Sequence, residues 1–198
     1  MFPIFLKLES RTCLVVGGGR VAEGKIPGLL AERASVKVVA PQATAQICQW
    51  AAAGAIEWVQ LAFQPHDLEG IFLAIVATSS HDVNTRVFTE ARAKGILCNA
   101  VDDPPNCDFY YPAVVRRGDL QIAISTGGQS PALAQRIRQE LEKQFGPEYE
   151  SWVAGLGKQR EELAAADLDP EVRKRILHEL ASGASFEAHT SAQEGGRN

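Results

Sequence analysis

The apolar run Cys13-Leu14-Val15-Val16 passes directly into Gly17-Gly18-Gly19-Arg20-Val21-Ala22. Few folds accommodate such a junction. A strand that ends in Gly-x-Gly-x-x-Ala and then opens a helix needs Gly17 for the tight turn, Gly19 for close backbone approach to a pyrophosphate, and a small Ala22 where helix and strand pack. The anion would rest on the helix N-terminus, with Gly18, Arg20 and Val21 completing the turn. A lone glycine motif is weak evidence for dinucleotide binding, so its weight depends on what surrounds it.

What surrounds it is a repeated strand and helix alternation. Short apolar runs recur at Val36–Val39, Ile71–Ala77 and Ile96–Cys98, with a further strand expected over Ile56–Leu61. They show little polar alternation, as parallel strands covered on both faces do. Val83, Val87 and Ala91 follow the cap residues Ser79-Ser80 at four-residue spacing and predict a helix over 81–94, with a weaker one over 42–53. The fold class is therefore α/β, a doubly wound parallel sheet of Rossmann type. Gly24, Pro27 and Gly28 conflict with the first helix, which should kink or begin irregularly.

The character changes after Asp102. Asp102-Asp103-Pro104-Pro105-Asn106 forms a turn cluster, and the strands Tyr110–Val115 and Leu120–Ser125 are joined through Arg116-Arg117-Gly118-Asp119 as a hairpin. Ser130 and Pro131 then cap and open a helix with the apolar stripe Leu133, Ile137 and Leu141. A hairpin and one helix are too small to be stable alone, so this unit must pack on the first domain or on a second copy of itself. The expected organisation is a nucleotide-binding domain over 1–112, a dimerisation unit over 113–146, a helical domain over 147–181 and a disordered tail over 182–198.

The 198 residues, 45% hydrophobic, carry a net charge of −4. That gives no basic field for nucleic acid or an anionic membrane. Lys7, Glu9 and Arg11 interrupt the apolar start before it reaches signal-peptide length, and no stretch approaches a membrane span, so the expected location is the cytoplasm. Cys13, Cys48, Cys98 and Cys107 form no paired motif, and His66, His81, His178 and His189 no ligand-spaced cluster. Reduced thiols and no resident metal are expected.

Three groups of residues carry chemistry. The second strand runs into Ala40-Pro41-Gln42, without the acid that usually reads a ribose and without an Arg for a 2′-phosphate, which leaves backbone groups or Gln42 to hold the ribose. Thr78, at the end of the fourth strand, either lines the cofactor cleft or caps a helix. Cys98-Asn99-Ala100-Val101-Asp102-Asp103 ends a strand on two carboxylates, either of which could serve as a general base or as an Asx-turn residue. Ser125-Thr126-Gly127-Gly128-Gln129-Ser130-Pro131 is a second glycine turn at a helix start, flanked by Arg116, Arg117, Arg136 and Arg138, and suits an anionic ligand.

Taken together, these pieces resemble the siroheme-synthase amino-terminal family of precorrin-2 dehydrogenases, some of which are also sirohydrochlorin ferrochelatases. The matching stretches are Pro3-Ile4-Phe5, Cys13 through Lys25, Ala77-Thr78, Val83-Asn84, Cys98 through Asp102 and Ser125 through Ala134, in family order over residues 3–145. The resemblance implies NAD-dependent oxidation of precorrin-2 to sirohydrochlorin in a homodimer. It implies that Arg20, Val21, Pro41 and Gln42 touch NAD, that Asp102 is the catalytic carboxylate, and that Thr126 stands where some members have a serine lining the tetrapyrrole site. An octacarboxylate substrate would give the arginines a purpose, since guanidinium pairs well with carboxylates. The rival reading is a regulatory module that senses NAD without catalysis, which leaves Asp102 and the Gly127-Gly128 turn unexplained.

Overall fold

The computed structural model describes residues 1–187 and 189. The chain divides into two compact units, Met1–Tyr110 and Tyr111–Asn198. The first holds a five-stranded parallel sheet in the order β3-β2-β1-β4-β5, with β1 Thr12–Val16, β2 Ser35–Val39, β3 Glu57–Val59, β4 Leu73–Val76 and β5 Leu97–Ala100. Three helices connect the strands: α1 Arg20–Ala31, α2 Ala45–Ala52 and α3 His81–Ala93. This is the doubly wound arrangement expected from the alternating pattern.

Successive residues of each strand point to opposite faces, and both faces are covered. Cys13, Val15, Val36, Val38, Leu73 and Ile75 pack with Ala22, Ile26 and Leu29 of α1 and Ile47 of α2. Leu14, Val16, Val39, Ala74 and Val76 pack with Val87, Phe88 and Ala91 of α3. That two-sided burial explains why the strands read as continuous apolar runs. β1 lies between β2 and β4, so the chain leaves it towards one face and returns beside it from the other. Ligands of open α/β sheets bind at such a reversal, beyond the carboxyl ends of the strands.

Several boundaries differ from the sequence expectation. α1 runs through Pro27 without an irregular start, because Pro27 and Gly28 lie on its exposed face, where water can serve the carbonyl that loses its partner, while Ile26 and Leu29 are buried. The strand expected over Ile71–Ala77 is confined to Leu73–Val76, and that over Ile56–Leu61 to the edge strand Glu57–Val59. Cys13 and Cys98 are fully buried free thiols, and burial pushes them up to about 11 and about 12. Cys48 and Cys107 are free and half-buried.

The second unit starts with the antiparallel hairpin β6 Ala113–Arg117 and β7 Leu120–Ile124. Its turn is Gly118-Asp119, with Gly118 at φ +55, the left-handed geometry that a tight hairpin asks of its first residue. The first strand begins three residues later than the expected Tyr110. α4 Pro131–Gln144 starts as expected, with the Ser130 hydroxyl accepting the Leu133 amide at 3.2 Å. α5 Glu148–Ala165 and α6 Pro170–Leu180 follow.

The regions expected as separate units over 113–146 and 147–181 fall in one. Arg117 ties the hairpin to the end of α4, its Nε donating to the Phe145 carbonyl at 2.8 Å and its Nη2 to the Glu142 carbonyl at 3.1 Å, and the Phe145 ring meets Tyr149 of α5 edge to face with centroids 5.1 Å apart, which joins the two regions. The disorder expected from Ser182 does not hold for Gly183–Glu187, which are helical, with the Phe186 ring tilted against Tyr149 and edge to face with Trp152. The rest of that tail, apart from His189, lies outside the described residues. Val115 and Ala134 are the buried apolar residues of this unit among those described.

Candidate functional site: a cleft at the ends of the parallel strands

A cleft of about 700 Å³ opens at the carboxyl ends of the strands of the first unit. Its walls include Gly17, Gly18, Gly19, Arg20 and Val21 from the β1–α1 turn, Pro41 and Gln42 after β2, Thr78 after β4, and Asp102 after β5. Nine of the residues singled out in the sequence thus share one cavity. Ala22 is not among its walls. It is fully buried in the α1 contact with the sheet, the small-residue packing role expected of it.

Each glycine of the turn meets a different constraint. Gly17 has φ +121, and a Cβ there would overlap the Ala77 carbonyl. A Cβ on Gly18 would overlap the Gln42 carbonyl, and the Gly18 carbonyl accepts the Thr44 amide at 2.9 Å. Gly19 faces open space, with nothing within 4 Å of a Cβ built on it. α2 and α3 are capped by the Thr44 and Ser80 side chains, whereas α1 starts at Gly19 with no side-chain cap. The uncapped first turn and the open face of Gly19 form a cradle suited to a pyrophosphate, so the residues present fit a dinucleotide.

Around the cradle, partly buried and exposed polar pairs fix the backbone geometry. The Trp58 indole donates to the Ala40 carbonyl at 3.0 Å and steadies the loop carrying Pro41 and Gln42. The Thr78 hydroxyl donates to Asn84 Oδ1 at 2.6 Å and accepts the Ser80 amide at 3.2 Å. Thr78 is therefore not the cap of α3, a role that falls to Ser80, whose hydroxyl accepts the Val83 amide at 3.4 Å. Sequence reasoning missed Phe63, Ser79 and Val83 as cleft walls. Ser79 and Val83 could have been found by extending the strand-end rule through the β4–α3 loop, whereas Phe63 carries no motif.

The two adjacent carboxylates differ. Asp102 has φ +61, a left-handed geometry that Asp tolerates better than most residues, and it is exposed at the cleft wall. Among the described residues its carboxylate has no hydrogen bond or ion pair. Asp103 is committed: its Oδ2 accepts from Asn106 Nδ2 at 2.8 Å and stands 3.1 Å from His81 Nδ1.

In the second unit, the turn before α4 places Gly127 at φ +64 and Gly128 at φ +82, with the Thr126 hydroxyl accepting the Ser130 amide at 3.1 Å. The Gly127 amide donates to the Ser125 hydroxyl at 3.2 Å and the Gln129 amide to the Thr126 carbonyl at 3.1 Å, so these amides are engaged within the turn. Arg116 and Arg136 are exposed, and Arg136 stands 3.4 Å from Glu140. Arg138 pairs with Glu142 and also donates to Gln135 at 2.9 Å. Arg117 departs from the expected substrate role, since all three guanidinium nitrogens donate to main-chain carbonyls. Among the described residues no cluster of three or more His, Cys, Asp or Glu could hold a metal ion, and no helix is long and apolar enough to cross a membrane.

Comparison with known proteins agrees with this geometry. Residues 4–113 match the family described as putative NAD(P)-binding, and residues 117–144 the family described as sirohaem biosynthesis protein central. A siroheme synthase from Photorhabdus laumondii subsp. laumondii is 42% identical over 161 residues, 81% of this chain and 34% of the relative. One from Pectobacterium atrosepticum, siroheme synthase 1, is 38% identical over 181 residues, 91% of this chain and 38% of the relative. The chain thus spans between a third and two fifths of these curated relatives. A solved structure described as SirC, precorrin-2 dehydrogenase, is 29% identical with a TM-score of 0.79, covering 98% of this chain and 100% of that one. The chain belongs to the siroheme-synthase amino-terminal family, built on a putative NAD(P)-binding domain.

Proposed function

We propose that this chain oxidises precorrin-2 to sirohydrochlorin, with NAD as the acceptor, in siroheme biosynthesis. The observation that carries the proposal is the likeness to SirC over essentially the whole of both chains. The oxidation removes two electrons and two protons from the macrocycle. Bound NAD supplies the acceptor for a hydride, that is, both electrons and one proton. The second proton goes to Asp102, the uncommitted carboxylate of the cleft.

The rest of the chain binds and orients. The uncapped first turn of α1 and the open face of Gly19 hold the pyrophosphate, while Arg20, Val21, Pro41, Gln42 and Thr78 border the cofactor. Arg116, Arg136 and Arg138, with the Thr126-Gly127-Gly128 turn, receive substrate carboxylates. Arg117 supports them by fixing the hairpin to the end of α4. A homodimer through the second unit fits its sparse interior, since Val115 and Ala134 are too few to constitute a core. A sensor without chemistry would give the uncommitted Asp102 nothing to do.

The test is an anaerobic incubation with precorrin-2, followed spectroscopically. Conversion that needs NAD⁺ supports the proposal. Tight NAD⁺ binding with no conversion would replace it by the sensor reading.

A further inference from the structure

The turn bearing Asp102 is fastened to the first two turns of α3 by a network that converges on its neighbour. Asn106 is 9% exposed and divides its amide hydrogens between Asp103 Oδ2, at 2.8 Å, and Thr85 Oγ1, at 3.2 Å. His81 Nδ1 lies 3.1 Å from the same Asp103 oxygen. His81 and Thr85 are four residues apart and so share one face of α3. Inside the turn, the Asp103 amide donates to the Ala100 carbonyl at 3.1 Å, the Asn106 amide to the Asp103 carbonyl at 2.9 Å, and Cys107 Sγ to the Ala100 carbonyl at 3.0 Å.

Such a network is more than a short surface turn needs. A non-glycine residue at φ +61 persists when its surroundings over-determine it, and the Asp102 side chain contributes nothing, having no partner among the described residues. Before it the Val101 amide donates to the Val76 carbonyl at 2.9 Å and carries the strand pairing up to the turn, so shaping the turn itself falls to the residues after it. We propose that Asp103, held by His81 and Asn106, is a positioning residue that locks the left-handed turn and so keeps the Asp102 carboxylate at the cleft wall. The inference rests on the reading of Asp102 as proton acceptor.

The clamp has a chemical signature. An asparagine at 103 retains an oxygen able to accept both hydrogens, whereas alanine removes it. With precorrin-2 and NAD⁺, Asp103→Ala should lower kcat about ten- to a hundredfold, as misplacement of a reacting group does, with unchanged NAD⁺ affinity. Asp103→Asn should restore most of the rate. His81→Phe, at a side chain 74% exposed, removes one donor without threatening the fold and should lower kcat by a smaller factor. In an Asp102→Asn background, Asp103→Ala should cost nothing further.

Wild-type kcat in both Asp103→Ala and His81→Phe would overturn the clamp, as would a full additional loss in the Asp102→Asn background. A wild-type rate in Asp102→Asn would instead overturn the proton-acceptor reading. In that event amide hydrogen exchange still decides the clamp: the Asp103 and Asn106 amides should exchange faster in Asp103→Ala and His81→Phe, and unchanged exchange would refute it.

Discussion

The backbone at Gly18 lies so close to the Gln42 carbonyl that no side chain fits between them. The turn after β1 and the loop after β2 are therefore one interlocked surface, further joined by the Thr44 amide to the Gly18 carbonyl. Two substitutions one residue apart should behave differently. Gly18→Ala forces the loops apart and should destabilise the domain by about 1–3 kcal/mol, as overpacking does. Gly19→Val meets open space at φ −83, so its melting temperature should stay near wild type while NAD⁺ binding, read by calorimetry, weakens at least tenfold.

Asp67 offers a pH-dependent probe of the same domain. Its carboxylate is 4% exposed and meets the Lys37 ammonium at 2.9 Å. Burial pushes its pKa up, but the Gln64 amide, the Lys37 hydrogen bond and the charges of Lys37 and His66 outweigh burial and hold it below the ordinary 3.8. A carboxylate lowered in the fold contributes stability that is present above its unfolded pKa and lost as pH falls through the folded one. Asp67→Asn should therefore cost about 1–3 kcal/mol at pH 7 and flatten the acid limb of the stability curve below pH ~4. Denaturation midpoints between pH 2 and 7 would show it.

The arginines of the second unit should separate into two classes. Arg117→Ala leaves main-chain carbonyls at the end of α4 without their donors and should lower stability by about 1.5–3 kcal/mol. Arg116→Ala and Arg136→Ala should leave stability within about 0.5 kcal/mol and raise KM for precorrin-2 with little change in NAD⁺ affinity. Steady-state kinetics alongside thermal melts distinguishes the two classes.

Leu133 is 38% exposed on α4, and its stripe with Ile137 and Leu141 is only partly covered. Light scattering at micromolar concentration should return twice the chain mass of 21.4 kDa, and Leu133→Asp should shift it towards one. A wild-type monomer would remove the dimer from the proposed function.

The parallel sheet was legible because both of its faces are buried, and two-sided burial writes itself as apolar runs such as Leu14-Val15-Val16 and Leu73–Val76. The cleft was legible wherever strand ends carry glycine or a carboxylate. Phe63 was not, since it reaches the cleft from an irregular loop after a three-residue edge strand. Nor was the task of Arg117. A guanidinium that donates to carbonyls 25 and 28 residues away reads in sequence like one awaiting an anion. Pro27 misled for a related reason, because helix propensity does not reveal which face of α1 meets water.

Asp102→Asn gives the sharpest test of the proposed chemistry. Asparagine tolerates the φ of +61 and keeps the size of the side chain, so the substitution removes the charge and the proton-accepting oxygen with little change in shape. In an anaerobic spectroscopic assay with precorrin-2 and NAD⁺, the variant should bind NAD⁺ normally and oxidise precorrin-2 about 10²–10⁴-fold more slowly than wild type. Oxidation at the wild-type rate would show that the proton leaves the macrocycle by another route and that Asp102 is not its acceptor.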